Sequence, residues 1–302
     1  MKTKIPFVFE DDVTYAEVQQ VSPRIRRIVA QNPSRFTFRG TGTYIVGRSQ
    51  VAVIDPGPQI SQHIDAILYA LSEETVTHIL VTHTHNDHSP GARSLQKMCD
   101  ASIYGMKYET EHFGSPQTDS TEEEIDNDFC PDYTLSDGDV LSGSGWTVEC
   151  VHTPGHMPNH FCFRLLEENA LFTGDHIMGW STTVIIPPYG CMKDYMNSLM
   201  MLQSCKDEVY YPTHGPPIRH PKPMLNALIE HRIERQEEVI ECLRAGMKTV
   251  AQMVPVIYAD VDIRLHAAAS LSLYATLIKL VADQRISCEG APAMNSSYQL
   301  RA

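Results

Sequence analysis

The spacing of apolar and polar positions changes several times along the chain, and each change marks an element. Tyr44-Ile45-Val46 and Val51-Ala52-Val53-Ile54 are β-rich runs, and Gly47-Arg48-Ser49-Gln50 between them predicts a hairpin. Asp55-Pro56-Gly57-Pro58 ends the second strand. Ile60, Ile64, Ile67, Leu68 and Leu71 then recur at helical spacing. The apolar run His78-Ile79-Leu80-Val81 reads as a strand, followed by a polar loop from Thr82 to Ser89. A helix is expected from Pro90 to Met98, with Ser89 as its N-cap and Pro90 at its first position. Strands resume at Trp146 to Val151, Phe161 to Leu165 and Ala170 to Thr173. A helix over Asp194 to Gln203 precedes a short strand, Val209-Tyr210-Tyr211, that runs into Pro212-Thr213-His214. Strands alternating with helices place this part of the chain in the α/β class.

After Lys222 the pattern becomes helical. Leu225 to Arg244, Thr249 to Tyr258 and Ile263 to Asp283 each read as a helix, and Arg285 to Leu300 as a short hairpin. These elements predict a small winged-helix-like module, so the expected division is 1–222 and 223–302.

The most informative segment is polar. His83-Thr84-His85-Asn86-Asp87-His88 directly follows an apolar strand. Residues two apart in extended chain project to one side, which aligns His83 with His85. Imidazole nitrogen and carboxylate oxygen are what Zn²⁺ accepts. Four such side chains would fill one tetrahedral ion and leave no place for water, so a second ion and further donors are expected. Three candidates stand just after later strands: His156 in His152-Thr153-Pro154-Gly155-His156, Asp175 in Thr173-Gly174-Asp175-His176, and His214 in Pro212-Thr213-His214-Gly215.

This ordered set resembles the metallo-β-lactamase superfamily, in particular its dinuclear members such as glyoxalase II, lactonases and RNA-processing nucleases. The resemblance covers roughly residues 20–220, and the first of its matching segments is Ile54-Asp55-Pro56-Gly57. It implies an αββα sandwich with two zinc ions at one edge, iron or manganese being the alternatives. One ion would take His83, His85 and His156, the other Asp87, His88 and His214, with Asp175 between them. Asp55 would support ligands rather than bind metal. A hydroxide shared by the ions would attack the substrate, and Asp87 would orient it and help protonate the leaving group. Asn32 to Tyr44, together with His231-Arg232 and Arg235 to Glu238, is similar to the β-lactamase-like protein 2 branch, which carries a winged-helix-like domain. Some members of that branch act on single-stranded RNA, and related fungal enzymes are thioesterases that release polyketides from a carrier protein.

Composition bears on the choice between these activities. The net charge of −13 argues against a surface built to grip phosphate backbones, although a bound cation can supply positive charge locally. A small ester, thioester, lactone or amide is therefore the expected substrate, with RNA hydrolysis as the alternative and a metal-free binding module as a third reading. The eight cysteines form no C-x-x-C pair. Met1-Lys2-Thr3-Lys4 opens no apolar leader, and no apolar run reaches the ~20 residues a membrane span needs. The expectation is a cytoplasmic protein with reduced thiols and no membrane partner. Oligomeric state is left open, a dimer included.

Asp119 to Asp128 is strongly acidic and reads as a solvated loop, or else as a lid that repels polyanions. His152, His160 and His176 are expected to support ligands or pack, and His63, His78, His112, His220, His231 and His266 to lie at the surface or pack. Trp180, followed by Ser181 and not far from Tyr189 and Tyr195, would roof a substrate pocket or join the core.

Overall fold

The computed structural model describes residues 3–108 and 124–301. Its centre is a pair of sheets. The first has seven strands in chain order: β1 Gln19–Gln20, β2 Ile25–Val29, β3 Gly42–Arg48, β4 Gln50–Ile54, β5 Thr75–Leu80, β6 Ser102–Gly105 and β7 Tyr133–Thr134. The second comprises β8 Val140–Gly143, β9 Trp146–His152, β10 Phe161–Leu165, β11 Ala170–Gly174 and β12 Val209–Pro212, ordered β12-β11-β10-β9-β8. Helices α1 Ser61–Ala70 and α2 Gly91–Cys99 cover the outer face of the first sheet, and α3 Met192–Gln203 with α4 Pro221–Arg244 covers the second.

Alternation along the strands builds these layers, because successive side chains in a strand face opposite ways. In β4, Ala52 and Ile54 turn inward to meet Phe161, Phe163 and Phe172 of the facing sheet. Val51 and Val53 turn outward onto Ile64 and Ile67 of α1. In β10, Cys162 faces outward with Leu199 of α3 and Leu225 of α4. The result is an αββα sandwich. Each fully buried Ile, Leu or Phe contributes roughly 1.5–3 kcal/mol.

The tail has its own core. Val239, Ile240 and Leu243 of α4 pack with Met253 of α5 Val250–Ile257, Leu273 and Leu277 of α6 His266–Ala282, and Tyr298 of the β13 Ile286–Cys288/β14 Tyr298–Leu300 hairpin. A capping box opens α5: the Thr249 hydroxyl accepts from the Gln252 amide while the Gln252 side chain accepts from the Thr249 amide. The single helix α4 serves two cores, since Met224, Leu225 and Leu228 near its start belong to the sandwich.

Some local expectations change. No side chain caps α2. Pro90 occupies the N-cap position, and the Ser89 hydroxyl instead donates to Asp126 at 2.7 Å. Helix α4 begins at Pro221 rather than Leu225. The stretch from Ile263 opens as a 3-10 turn, and α6 starts only at His266. Strand β2, Ile-Arg-Arg-Ile-Val, is buried throughout and was not expected, because its arginines find distant partners. Arg26 pairs with Glu74 at 2.6 Å and Arg27 with Asp11 at 2.7 Å.

Residues 109–123 lie outside the described residues, and with them His112 and much of the acidic stretch. Its described end is docked. The Asp126 amide donates to the Thr84 carbonyl at 2.7 Å, and Ile125 forms a bridge with His85. Among the described residues, no helix is long and apolar enough to cross a membrane.

Candidate metal centre

The donor-type side chains leave the sandwich from the ends of both sheets. His83, His85, Asp87 and His88 follow β5, His156 follows β9, Asp175 follows β11 and His214 follows β12. The two sheets are tied together at that edge. The Phe161 amide donates to the Thr82 carbonyl, and the Gly42 amide to the Thr213 carbonyl, each at 2.8 Å. Gly174 permits the turn into Asp175. Its φ is +51°, and a Cβ there would stand 2.5 Å from the His160 ring.

All seven predicted residues come together, and all are buried. Three groups have potential ligand atoms mutually within 4.8 Å: His83/His85/His156, His83/His88/Asp175 and Asp87/His88/His214. In the first, His85 Nδ1 lies 3.0 Å from His83 Nε2 and 3.1 Å from His156 Nε2. In the last, His214 Nε2 lies 3.1 Å from Asp87 Oδ2, and His88 Nε2 lies 3.5 Å from Asp87 Oδ1. Asp175 stands between them. Its Oδ1 is 3.3 Å from His214 Nε2 and 3.5 Å from His88 Nε2, while Oδ2 faces His156 Nε2 at 3.9 Å.

A supporting layer fixes which nitrogen of each ring faces inward. Asp55 is its hub, fully buried and at a positive φ of 47°. It accepts from the Thr82 amide and hydroxyl, from His88 Nδ1 at 2.8 Å and from the Thr213 hydroxyl at 3.0 Å. The Thr82 hydroxyl, committed to Asp55, accepts from His83 Nδ1 at 3.1 Å. His156 Nδ1 donates to the Val184 carbonyl at 2.9 Å and His214 Nδ1 to the Gly40 carbonyl at 3.2 Å. Backbone carbonyls carry no side-chain signature, so these last two supports had no trace in the sequence. His160 holds the other end of Asp175: its Nε2 accepts from the Asp175 amide at 3.2 Å, and Nδ1 donates to the Thr153 hydroxyl at 2.8 Å. The Thr183 hydroxyl donates to the carbonyls of Asp175 and His176.

Electrostatics divides the donors in two. Burial and neighbouring imidazoles hold His83 well below the ordinary histidine range and His85 down at about 3. Burial likewise lowers His156. Burial would also lower His88 and His214, but carboxylates overcome it: Asp87, Asp175 and Asp55 raise His88, and Asp175 and Asp87 raise His214 to about 10. His88 Nε2, His214 Nε2 and Asp175 Oδ1 nevertheless have no hydrogen-bond partner. Buried groups left in that state cost roughly 1–3 kcal/mol or more each. Inward imidazole nitrogens and carboxylate oxygens converging on one point are the donor chemistry a divalent cation requires.

Comparisons with known proteins agree with this geometry. The model of the metallo-beta-lactamase superfamily matches residues 37–214, which spans the whole donor set. The chain belongs to the metallo-β-lactamase superfamily. It is a metal-dependent hydrolase of that superfamily with a His/Asp metal site. The model of the beta-lactamase associated winged helix domain matches residues 249–293, so that part of the tail is such a domain. A lactamase-like protein of Pestalotiopsis microspora is 34% identical over 76% of this chain and 66% of its own length. An atrochrysone carboxyl ACP thioesterase of Cryptosporiopsis is 30% identical over 81% of this chain and 74% of its own. A beta-lactamase domain protein from Burkholderia ambifaria shares the fold at a TM-score of 0.79 and 19% identity, covering 98% of this chain and 97% of that one.

Other predicted residues fall into place around the superfamily fold. His78 lies between the rings of Tyr104 and Trp146. His152 bonds the Pro158 carbonyl, and His63 is buried against the Thr43 hydroxyl. Trp180 and Ser181 line a cavity, whereas Tyr195 is buried behind them against His176. Two contacts were not anticipated from the sequence. Phe38 stacks on Trp180 with ring centroids 4.9 Å apart, and Arg232 of α4 donates to the Thr183 carbonyl.

Proposed function

We propose that this hydrolase is dinuclear and cleaves the thioester, or a related ester, of a small acyl group. One cation would be held by His83, His85 and His156, the other by Asp87, His88 and His214, with Asp175 placed between the two groups. The observation that carries this reading is the position of Asp175, whose two oxygens address different histidine groups. Mixed imidazole and carboxylate donors favour zinc, with iron or manganese as alternatives. Bound, such ions make water ionisable near neutral pH and polarise a carbonyl oxygen. The chain's own part is orientation and proton handling. Asp55 and the carbonyls of Val184 and Gly40 fix the tautomers of His88, His156 and His214. Asp87 orients the attacking water and returns a proton to the leaving group. The thioester preference draws on curated relatives named atrochrysone carboxyl ACP thioesterases, two of them 29–30% identical to this chain. The chain is further read as a catalytic part, 1–222, and a helical part, 223–302, joined through α4.

The test is metal analysis coupled to a panel of thioester, lactone, β-lactam, phosphodiester and single-stranded RNA substrates. Two ions per chain and thioester cleavage that falls sharply in metal-loaded Asp87→Asn are expected. One ion per chain, or unchanged turnover in that variant, would reject the dinuclear scheme or the role of Asp87 respectively. RNA cleavage without thioester cleavage would move the substrate to phosphodiesters.

A further inference from the structure

Three arginines are buried among the described residues, and two of them are neutralised. Arg26 pairs with Glu74 at 2.6 Å and Arg27 with Asp11 at 2.7 Å. Arg232 of α4, only 5% exposed, has no carboxylate partner among the described residues. Its guanidinium lies 5.1 Å over the Tyr195 ring and donates to the Thr183 carbonyl, while its Nε has no acceptor. Three residues on, Arg235 does have a carboxylate, Glu238 at 2.6 Å. A carbonyl and a ring face offer only partial charge. A full positive charge taken out of water is costly unless an opposite charge compensates it.

Arg232 lines a cavity of about 240 Å³ between residues 180–184 and the α5–α6 region of the tail. The chain carries 37 acidic residues against 24 Lys and Arg, yet among the described residues no carboxylate lines this cavity, and Arg35 and His231 do. Phe36, Val184, Tyr258 and Leu265 give it apolar surface. None of the seven metal donors lines it, so an occupant would lie outside the reacting centre. The volume equals about eight waters at ~30 Å³ each, more than a bare ion fills and enough for a compact organic molecule.

We propose that this cavity is a binding site for a small organic anion, a carboxylate on a compact apolar body, separate from the metal centre. The carboxylate meets Arg232 and accepts from its open Nε, a charge-assisted bond of the kind arginine makes well. The apolar body lies against Phe36, Val184 and Leu265. A ligand held there is bound rather than cleaved, so the site goes beyond hydrolysis. It touches the centre only through its wall: the Val184 carbonyl accepts from His156 Nδ1, and the Thr183 hydroxyl donates to the Asp175 carbonyl.

Isothermal titration of the zinc-loaded full-length protein compares hexanoate with hexanamide, an uncharged molecule of the same size. The parent is expected to bind one hexanoate per chain at least tenfold more tightly than hexanamide. Ala269→Phe, which puts a ring into the cavity, should weaken hexanoate at least tenfold. Arg232→Met should bring hexanoate to the affinity of hexanamide. Absent hexanoate binding, or equal affinities in the parent, overturns the proposal. So does a hexanoate affinity unchanged in either variant, and one unchanged in both would place the carboxylate on the metal. Val261→Phe, on the same wall, replaces a variant that fails to fold, with the outcome expected of Ala269→Phe. The titrations read binding without turnover, so their result is independent of the thioester reading.

Discussion

The two walls around the centre treat their buried polar atoms in opposite ways. On the donor wall, His83, His88, His156 and His214 each have the outward ring nitrogen hydrogen-bonded, which turns the other nitrogen inward, and three of the inward atoms remain open. Those open atoms, His88 Nε2, His214 Nε2 and Asp175 Oδ1, belong to groups that meet within 4.8 Å. On the opposite wall, Trp180 Nε1, Arg232 Nε, the Tyr195 hydroxyl and both nitrogens of His176 also lack partners, but they are spread over separate side chains. Convergence of lone pairs is the signature of a cation, because one small charge must satisfy them all. Scattered buried polar atoms cannot all be satisfied by one small ion. The difference separates a cluster built to hold a cation from side chains that share no common partner.

Breaking the donor wall at its centre should have the largest effect. Asp175→Ala is expected to abolish turnover and to leave the chain with fewer bound ions, read by metal analysis after dialysis. Two ions retained at full occupancy would show that the carboxylate does not join them. The next effect should come from the hub beneath. Asn tolerates the positive φ of Asp55, so Asp55→Asn removes the charge while keeping the backbone. Loss of such outer support weakens metal binding by roughly 10–100-fold. Chelator competition measures this directly, and a chelator midpoint equal to the parent's would dismiss the hub.

A smaller effect is expected where the tail meets the opposite wall. Arg232 of α4 donates to the Thr183 carbonyl, and Thr183 in turn holds the carbonyls of Asp175 and His176. Arg232→Met keeps the volume and removes the charged donor, a loss of about 2 kcal/mol for a charge-assisted hydrogen bond. Urea unfolding is the measurement, and a midpoint within error of the parent would mean that α4 does not brace the segment around Thr183.

How legible each wall is in the sequence follows from the same contrast. The donor wall is written locally: His83 to His88 occupy one turn, and His156, Asp175 and His214 each stand just past a strand that its own apolar run announces. Asp55 was also readable, because Asp-Pro-Gly ends β4. What it does there, bonding Thr82, His88 and Thr213, depends on segments that meet only after folding. The opposite wall depends almost wholly on such meetings. Phe38 and Trp180, or Arg232 and Thr183, are far apart in the chain and follow no common pattern. Strand β2 was hidden for the same reason, since two adjacent arginines look exposed until Glu74 and Asp11 arrive to pair with them. Ser89 was misjudged because a serine before a helix normally caps it, whereas here Asp126 takes its hydroxyl.

The finest separation between the walls lies at Phe38. Its backbone is left-handed, with φ at 58°, a conformation that costs a residue with a Cβ about 1–2 kcal/mol. That conformation sets the ring against Trp180. The stack returns about 0.5–1.5 kcal/mol, close to the cost of the backbone, so its value lies in orienting the indole rather than in net stability. Phe38→Leu should therefore lower stability by about 1 kcal/mol and leave metal content as it is. Urea unfolding and metal analysis check the two expectations together. An unchanged urea midpoint would show that the stack on Trp180 adds nothing to stability, and a lower metal content would show that the Phe38 turn also serves the donor wall.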